Sequence, residues 1–528
     1  MNEESELKKI DGTKMQFIGK GLLVGLLSGV VVSFFRLLIE QISEKVVAAY
    51  VFLREEPQWL IPWIMGSLLL ALILGKLIQS EPNIKGSGIP QVEGQLRGQL
   101  SIHWFSVLWK KFIGGVLAIS SGLFLGREGP SIQLGAVVAQ GISEKMKQSK
   151  SEEKILISSG ASAGLAAAFN APIAGLLFVL EEVHHSFSPL LWLTSFSAAI
   201  TANFVSLHFF GLKPVLYIGE IQNLPLSYYW TLPILGVLLG TAGRIYQKVL
   251  LALPKWYGKI SCLSSNYYSV VPLLLIIPLG VFFPYFLGGG NQIVFYVSVS
   301  SVSIWLLLAL FLFRFIFSMI SYGSNLPGGI FLPILSLGAI LGTIYGLFLH
   351  QVLGIDADFI KNFLIFSMAG YFAAIGKAPL TAIVLVTEMV GNLAQLMSIG
   401  IVVLTSYIVA DCLGAKPIYE TLLDRLVRPD FGKISGKKTV MTYSVAPGGL
   451  FDEQMIRDIK WPQEMLVTSI RRGETELLTH GDTVMLGGDG LLILTDAGIA
   501  QKIRMQLQQM EQGDREELSH KEKLADSD

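Results

Sequence analysis

Glu128 lies in Gly126-Arg-Glu-Gly-Pro130, a short break in an apolar stretch whose residue types suit anion and proton chemistry. Glycine lets backbone amides approach a ligand, and proline can open a helix without wasting a donor, so such a break aims bare N–H groups at negative charge. An ionised Glu128 would occupy such a site itself and compete with an anion for it. Protonation would cancel that attraction and release the side chain. The alternative is a static helix cap, or a partner for Arg127. Three further breaks have related composition: Gly86-Ser-Gly-Ile-Pro90, Gly328-Gly-Ile-Phe-Leu-Pro333 and Lys416-Pro-Ile-Tyr419. In the first, Ser87 is flanked by Gly86 and Gly88, so its hydroxyl and nearby amides could face one point; the plainer reading is a capping hydroxyl. Tyr419 offers a second hydroxyl, although a lone tyrosine in apolar sequence is ordinarily an interface residue. Glu182, beside Glu181 at the end of another apolar stretch, is the second proton candidate. An ionisable group there is costly unless paired, wet or functional. A helix-end carboxylate in water is the competing reading, and it fits Glu181 better.

The elements that must position these groups are membrane helices. The chain has 528 residues, 52% of them hydrophobic and only 15% charged. That composition belongs to an all-α polytopic membrane protein. Apolar stretches recur through the first 420 or so residues, and several are cut by glycine or proline before reaching the roughly 20 residues of a straight span. Broken and re-entrant helices of this kind mark transporter sites. The formal net charge is zero, so composition gives no argument for nucleic-acid binding. Lys8, Lys9, Lys14 and Lys20 precede or open the first apolar stretch without a cleavage signal, and Lys145, Lys147, Lys150 and Lys154 form a second basic cluster; both read as cytoplasmic. Cys262 and Cys412 are far apart, and His184 and His185 lack metal-ligand spacing, so neither a disulfide nor a metal site is expected.

The membrane region contains an internal repeat. Gly126, Pro130, Leu134, Gly135 and Ala136 recur with identical spacing as Gly329, Pro333, Leu337, Gly338 and Ala339. Downstream, Ala171-Pro172 precedes Glu181 as Ala378-Pro379 precedes Glu388. Duplicated hydrophobic halves with broken helices place a binding site between repeats. Glu181 matches Glu388, whereas Glu182 matches Met389; a carboxylate in both halves suggests structure, and one in a single half suggests function.

Beyond Tyr419 the character changes. Residues 1–425 are expected to form a membrane transport domain, 426–436 a linker, 437–500 a small α/β domain and 501–528 a polar tail that is helical at first. Strands are expected at Val467–Ile470, Thr483–Leu486 and Leu491–Leu494, turns at Arg471–Glu474 and Gly487–Gly490, and a helix over Asp452–Lys460.

The four breaks, the run Ala-Phe-Asn-Ala-Pro-Ile-Ala-Gly ahead of Glu182, and Tyr419 together resemble the CLC family of chloride channels and proton/chloride antiporters, prokaryotic type, over roughly residues 15–425. The resemblance implies the inverted-repeat CLC fold and chloride as the transported ligand, bound by Ser87, Tyr419 and the amides of Ile330 and Phe331. Its selectivity filter falls on Gly86, Gly88, Ile89, Pro90, Gly126, Arg127, Gly129, Pro130, Gly329, Leu332 and Pro333. It makes Glu128 the external gate and proton acceptor, and Glu182 the internal proton-transfer residue. Channel members usually carry valine at the latter position, so Glu182 favours a proton-coupled antiporter over a passive voltage- or ligand-gated channel. Serine at 87 is the chloride type of the family. Lys111 and Glu93 would lie near one another below the filter, where a buried ion pair is expected. The family further implies a homodimer in the plasma membrane with both termini cytoplasmic, no enzyme activity, no cofactor and no metal. The tail resembles the TrkA-C (RCK C-terminal) domain of potassium-uptake regulators, in Ile-Arg-Arg-Gly-Glu and Gly-Asp-x-x-x-x-Gly-Gly-Asp-Gly; some such domains bind cyclic di-AMP.

Overall fold

The structure, a computed structural model, describes residues 12–184, 188–261, 263–299, 302–427, 438–473, 475–496, 498–500 and 502–511. Lys8, Lys9, Cys262, His185, most of the expected linker, Glu474 and the end of the tail lie outside the described residues. Two compact units divide the chain, 1–426 and 427–528.

The first unit opens with the long helix α1 (Gly12–Glu55), followed by α2 (Leu60–Ser80), α3 (Ile89–Leu96) and α4 (Trp104–Ser120). Next come α5 (Glu128–Lys145), α6 (Lys150–Phe169), α7 (Pro172–Phe178) and α8 (Pro189–Phe210). A single π turn, Val179–Val183, prolongs α7. The second half begins with α9 (Thr231–Tyr257), α10 (Val270–Phe282), α11 (Asn291–Val299) and α12 (Ile304–Gly323). It continues with α13 (Phe331–Leu353), α14 (Ile360–Gly376), α15 (Pro379–Val390) and α16 (Leu396–Cys412). A short helix, α17 (Ile418–Leu426), carries Tyr419.

The repeat seen in sequence is a repeat in packing. Helix α5 lies on α6 as α13 lies on α14, α6 on α8 as α14 on α16, and α1 on α8 as α9 on α16. Glycine permits the closest of these contacts: a Cβ on Gly164 would strike the Ser131 carbonyl, and one on Gly338 would stand 2.7 Å from the Ser367 carbonyl oxygen. Small residues let membrane helices approach backbone to backbone. Helices α6 and α14 both end on a left-handed residue, Asn170 at φ 55° and Lys377 at φ 63°. An alanine-proline pair then starts the next helix in each half, because proline suits the first turn, where its missing N–H costs nothing.

Among the described residues, nine helices are long and apolar enough to cross a membrane. Their burial separates two classes: the spans of α13 and α14 are 78% and 83% buried within the protein, whereas that of α2 is 22% buried. The first class forms the core around the broken-helix starts, and the second presents apolar side chains outward, as lipid-facing helices do.

The second unit is an antiparallel sheet of β1 (Lys438–Ser444), β2 (Met465–Arg472), β3 (Thr475–Leu478) and β4 (Gly490–Asp496), in the order β1-β4-β2-β3. Strands β2 and β4 contain two of the expected strands. The third, Thr483–Leu486, is instead an extended run with one bridge, Val484 to Met455. The helix expected over Asp452–Lys460 is a turn followed by a single 3-10 turn, Ile456–Asp458. The Asp452 carboxylate explains this, accepting from the Gly448 amide at 2.7 Å and the Gly487 amide at 2.6 Å, bonds that compete with helix. The helix expected at the start of the polar tail spans 502–511 and buries Ile503 and Leu507 in the same core as Tyr443, Phe451 and Ile493, so the domain extends past the expected boundary at 500.

Arg472 grips Asp489 with two bonds, Nε to Oδ1 at 2.9 Å and Nη2 to Oδ2 at 2.6 Å. The hydrogen bond from Arg472 holds the Asp489 carboxyl below the usual carboxylate range, against the opposing effect of burial. A carboxyl depressed in the folded state contributes stability above its unfolded pKa and loses it as pH falls through the folded one. Hydrogen exchange at matched intrinsic rates is therefore expected to show β2 and β4 losing protection only at acid pH. Asp489→Asn should cost about tenfold in protection at neutral pH and remove that acid dependence. Wild-type protection in the variant at neutral pH would contradict this role.

Candidate functional site

Three of the four breaks meet at one place. Gly126 and Gly329, equivalent in the two halves, exchange reciprocal backbone bonds of 2.7 Å each, N–H to C=O in both directions. This ties the start of α5 to the start of α13. The Gly328 amide donates to the Gly86 carbonyl at 3.0 Å, bringing in the loop that opens α3. Gly129 lies against Ser87 so closely that a Cβ there would stand 2.7 Å from both the Ser87 carbonyl and its Cβ. Gly86 and Gly88 hold φ of 62° and 93°, values that favour glycine. Proline follows each turn: Pro90, Pro130 and Pro333 all lie in the first turn of their helices.

The donors at this junction are neutral. In α13 the first helical bond inside the break is Ile334 N–H to Ile330 C=O, 2.9 Å, so the Ile330 and Phe331 amides precede the ladder and face no i−4 carbonyl within the helix. Ser87, 2% exposed, accepts from the Ile89 amide at 3.3 Å, which uses a lone pair of the hydroxyl and leaves its proton to give. Tyr419 is fully buried, its ring edge-on to Phe178, and its hydroxyl has no hydrogen-bond partner. A buried hydroxyl without a partner is costly, unless an anion or water completes it. Phe178 in turn meets Phe331, which stacks closely with Phe372, so Tyr419 is held by an aromatic wall built from α7, α13 and α14.

Positive charge stands behind the junction. Lys111, fully buried on α4, donates to the Ile84 carbonyl at 2.9 Å and the Gly86 carbonyl at 2.8 Å. It thereby engages two carbonyls of the loop that opens α3. The ion pair expected between Lys111 and Glu93 is replaced by these carbonyls on one side and by Arg97 on the other, whose guanidinium lies 2.5 Å from the Glu93 carboxylate.

Glu128 is wholly buried, and its two carboxylate oxygens make no hydrogen bond of full geometry. They lie over the amides of Glu128 itself and of Leu332, at the facing starts of α5 and α13. Arg127 turns elsewhere: its Nη1 meets Glu40 Oε1 at 2.6 Å, and Arg36 Nε meets the same carboxylate at 3.1 Å. Arg36 also donates to Asn170 at 3.2 Å and covers the Phe210 ring. Glu40 was not singled out in sequence, for its partner is 87 positions away and no local pattern links them. Glu40 and Arg127 line a cavity of about 190 Å³ with Glu44, Gly289, Asn291 and Leu332.

Glu182 lies in the π turn after α7 and is 3% exposed. Its charged neighbours are Glu93, Glu181, Glu420 and Arg97, and Tyr419 lies in electrostatic range of both Glu182 and Glu128. Arg97 bonds Glu420 at 3.0 Å, joining α3 to α17 beside Tyr419. The adjacent Glu181 has a different task. It accepts from the Leu380 amide at 3.1 Å, the Thr381 amide at 2.7 Å and the Thr381 hydroxyl at 2.7 Å, capping α15. Its repeat partner Glu388 caps α7 in return, from the Ile173 amide at 3.2 Å and the Ala174 amide at 2.8 Å. The two equivalent carboxylates thus clasp the halves together, as their presence in both suggested.

A family model described as voltage gated chloride channel matches residues 66–411. The H(+)/Cl(-) exchange transporter ClcA of Klebsiella pneumoniae subsp. pneumoniae is 32% identical over 428 residues, covering 79% of this chain and 90% of the relative. The H(+)/Cl(-) exchange transporter ClcA of Vibrio parahaemolyticus is 34% identical over 422 residues, covering 77% and 89%. Among solved structures, a slow cyanobacterial Cl−/H+ antiporter superposes with a TM-score of 0.72 at 29% identity, covering 78% of this chain and 98% of that one. A CLC-type fluoride/proton antiporter shares the fold, with a TM-score of 0.63 at 20% identity over 75% of this chain and 96% of that one.

Proposed function

Because the chain belongs to the voltage-gated chloride channel (CLC) family, a family of multi-pass membrane proteins, we propose that it exchanges chloride for protons across the membrane. Chloride binds the hydroxyls of Ser87 and Tyr419 and the amides of Ile330 and Phe331. These are dipoles rather than full charges, so the anion is held without being trapped. Gly86, Gly88, Ile89, Pro90, Gly126, Gly129, Pro130, Gly329, Leu332 and Pro333 shape the filter, and Arg127 lends positive potential at the outer cavity. The observation that carries the coupling is the Glu128 carboxylate, buried over the Glu128 and Leu332 amides without a full hydrogen bond. Ionised, it fills the place an anion would take. Protonated, it loses the field of both helix ends and swings out, letting chloride pass and taking one proton with it. Glu182 passes that proton to and from the cytoplasmic side.

The protein works as a transporter and not as an enzyme, with no cofactor or metal in its cycle. It acts as a homodimer in the plasma membrane with cytoplasmic termini. Residues 1–425 transport, 426–436 link and 437–500 regulate, with cyclic di-AMP as the first ligand to try on that domain, and 501–528 form a polar tail. The choice of anion is tested by radioactive chloride counterflow into proteoliposomes. Unlabelled external chloride should compete with the entering label and fluoride should not; effective competition by fluoride would overturn the assignment of chloride.

A further inference from the structure

Tyr322 closes α12 just before the loop that delivers Ile330 and Phe331. Its phenol oxygen stands 3.5 Å from where a Cβ on Gly86 would be, and it lies against the Ser87 side chain. The ring packs against both large apolar clusters of the membrane unit. It is half-buried there, whereas Ser87 and Tyr419 beside it are buried.

The surroundings leave that hydroxyl few local uses. The Gly86 carbonyl already receives the Lys111 ammonium at 2.8 Å and the Gly328 amide at 3.0 Å, which occupy both of its lone pairs. Ser87 already accepts from the Ile89 amide. Ser87 keeps one lone pair, so in the absence of an anion the two adjacent hydroxyls can face each other; an anion between them would draw both protons outward, and Tyr419 brings a third hydroxyl with no partner.

We propose that Tyr322 is a third hydroxyl ligand of the anion at the Ser87–Tyr419 site, and that it sets which monovalent anion the site prefers. This rests on the reading of that site as the chloride site. A strongly hydrated anion gives up more on entering a site and needs more donors in return, so a third hydroxyl favours chloride over larger, weakly hydrated anions such as thiocyanate.

The experiment is calorimetric titration of chloride and thiocyanate into detergent-purified full-length protein, wild type and Tyr322→Phe. Tyr345→Phe, which removes the distant hydroxyl that donates to the Thr231 carbonyl, serves as control. Removing one neutral donor should weaken chloride binding about five- to tenfold, with a smaller loss for thiocyanate. Tyr345→Phe should leave the ratio of the two affinities unchanged. Equal chloride affinity in Tyr322→Phe and wild type overturns the proposal, as does an equal loss for both anions. Absence of chloride binding in the wild type overturns instead the reading of the site on which it rests. Anomalous diffraction from bromide-soaked wild-type crystals is independent of any variant's folding. Bromide within hydrogen-bonding distance of both the Tyr322 and Ser87 hydroxyls supports the proposal, and bromide at Ser87 out of reach of Tyr322 overturns it.

Discussion

Glu128→Ala is expected to keep moving chloride while proton movement falls to background, at least tenfold below wild type, and the pH dependence of chloride flux disappears. The carboxylate is the one ionisable group over the Glu128 and Leu332 amides, and nothing else in the described junction would replace it there. Without it the helix starts of α5 and α13 stand open to anions at every pH, so chloride passes with no proton needed to clear the way. Alanine on the first turn of α5 is a good helix former, and Pro130 still fixes the turn, so the fold should tolerate the change. Glu128→Gln, shaped like the protonated acid, should behave in the same way. Proteoliposomes report both fluxes at once through a chloride electrode and a pH electrode. Uphill proton pumping retained in Glu128→Ala would show that another group carries the gate.

Glu182→Gln is expected to separate the two fluxes differently: chloride movement stays within a few-fold of wild type and keeps its dependence on Glu128, while proton transport drops to background. Glu182 is nearly buried in the π turn after α7, with Tyr419 in electrostatic range of both it and Glu128. Glutamine keeps the shape and polarity of the side chain and removes only the ability to hold and release a proton. The neighbouring Glu181→Gln provides the contrast. It should leave coupling intact and cost about 1–2 kcal/mol of stability, the scale of a lost helix cap, since Glu181 caps α15 through the Leu380 and Thr381 amides. Coupling lost in Glu181→Gln and kept in Glu182→Gln would reverse the assignment of the two acids.

The parts of this arrangement that could be read from sequence are those encoded by local backbone chemistry. Gly126 and Gly329 stand out because they recur at the same place in both repeats, and the two loops exchange backbone bonds at 2.7 Å; Pro130 and Pro333 stand out because proline marks a first helical turn. The structural role of Glu181 and Glu388 was legible from the repeat alone, since a residue present in both halves tends to serve the pseudo-symmetric frame. Contacts made across long stretches of chain were not legible. Glu40 reaches Arg127 from α1 with no spacing to announce it, and Lys111 turned from an expected carboxylate partner to the carbonyls of Ile84 and Gly86. Tyr322 looked like any aromatic at a helix end until the fold set it against Ser87. In the second unit, β3 escaped notice because all four of its residues are exposed, so burial imposes no alternation on them. The helix over 502–511 was legible as the start of the polar tail, but its docking through Ile503 and Leu507 was not.

The most direct test of chloride–proton exchange uses purified full-length protein in liposomes loaded with high chloride, diluted into low-chloride buffer under a clamped potential, with an external pH electrode. Chloride leaving down its gradient should draw protons into the vesicles against no proton gradient, seen as alkalinisation outside that a protonophore collapses. Chloride efflux at full rate with no change in external pH would contradict coupled exchange, and with it the proton roles of Glu128 and Glu182.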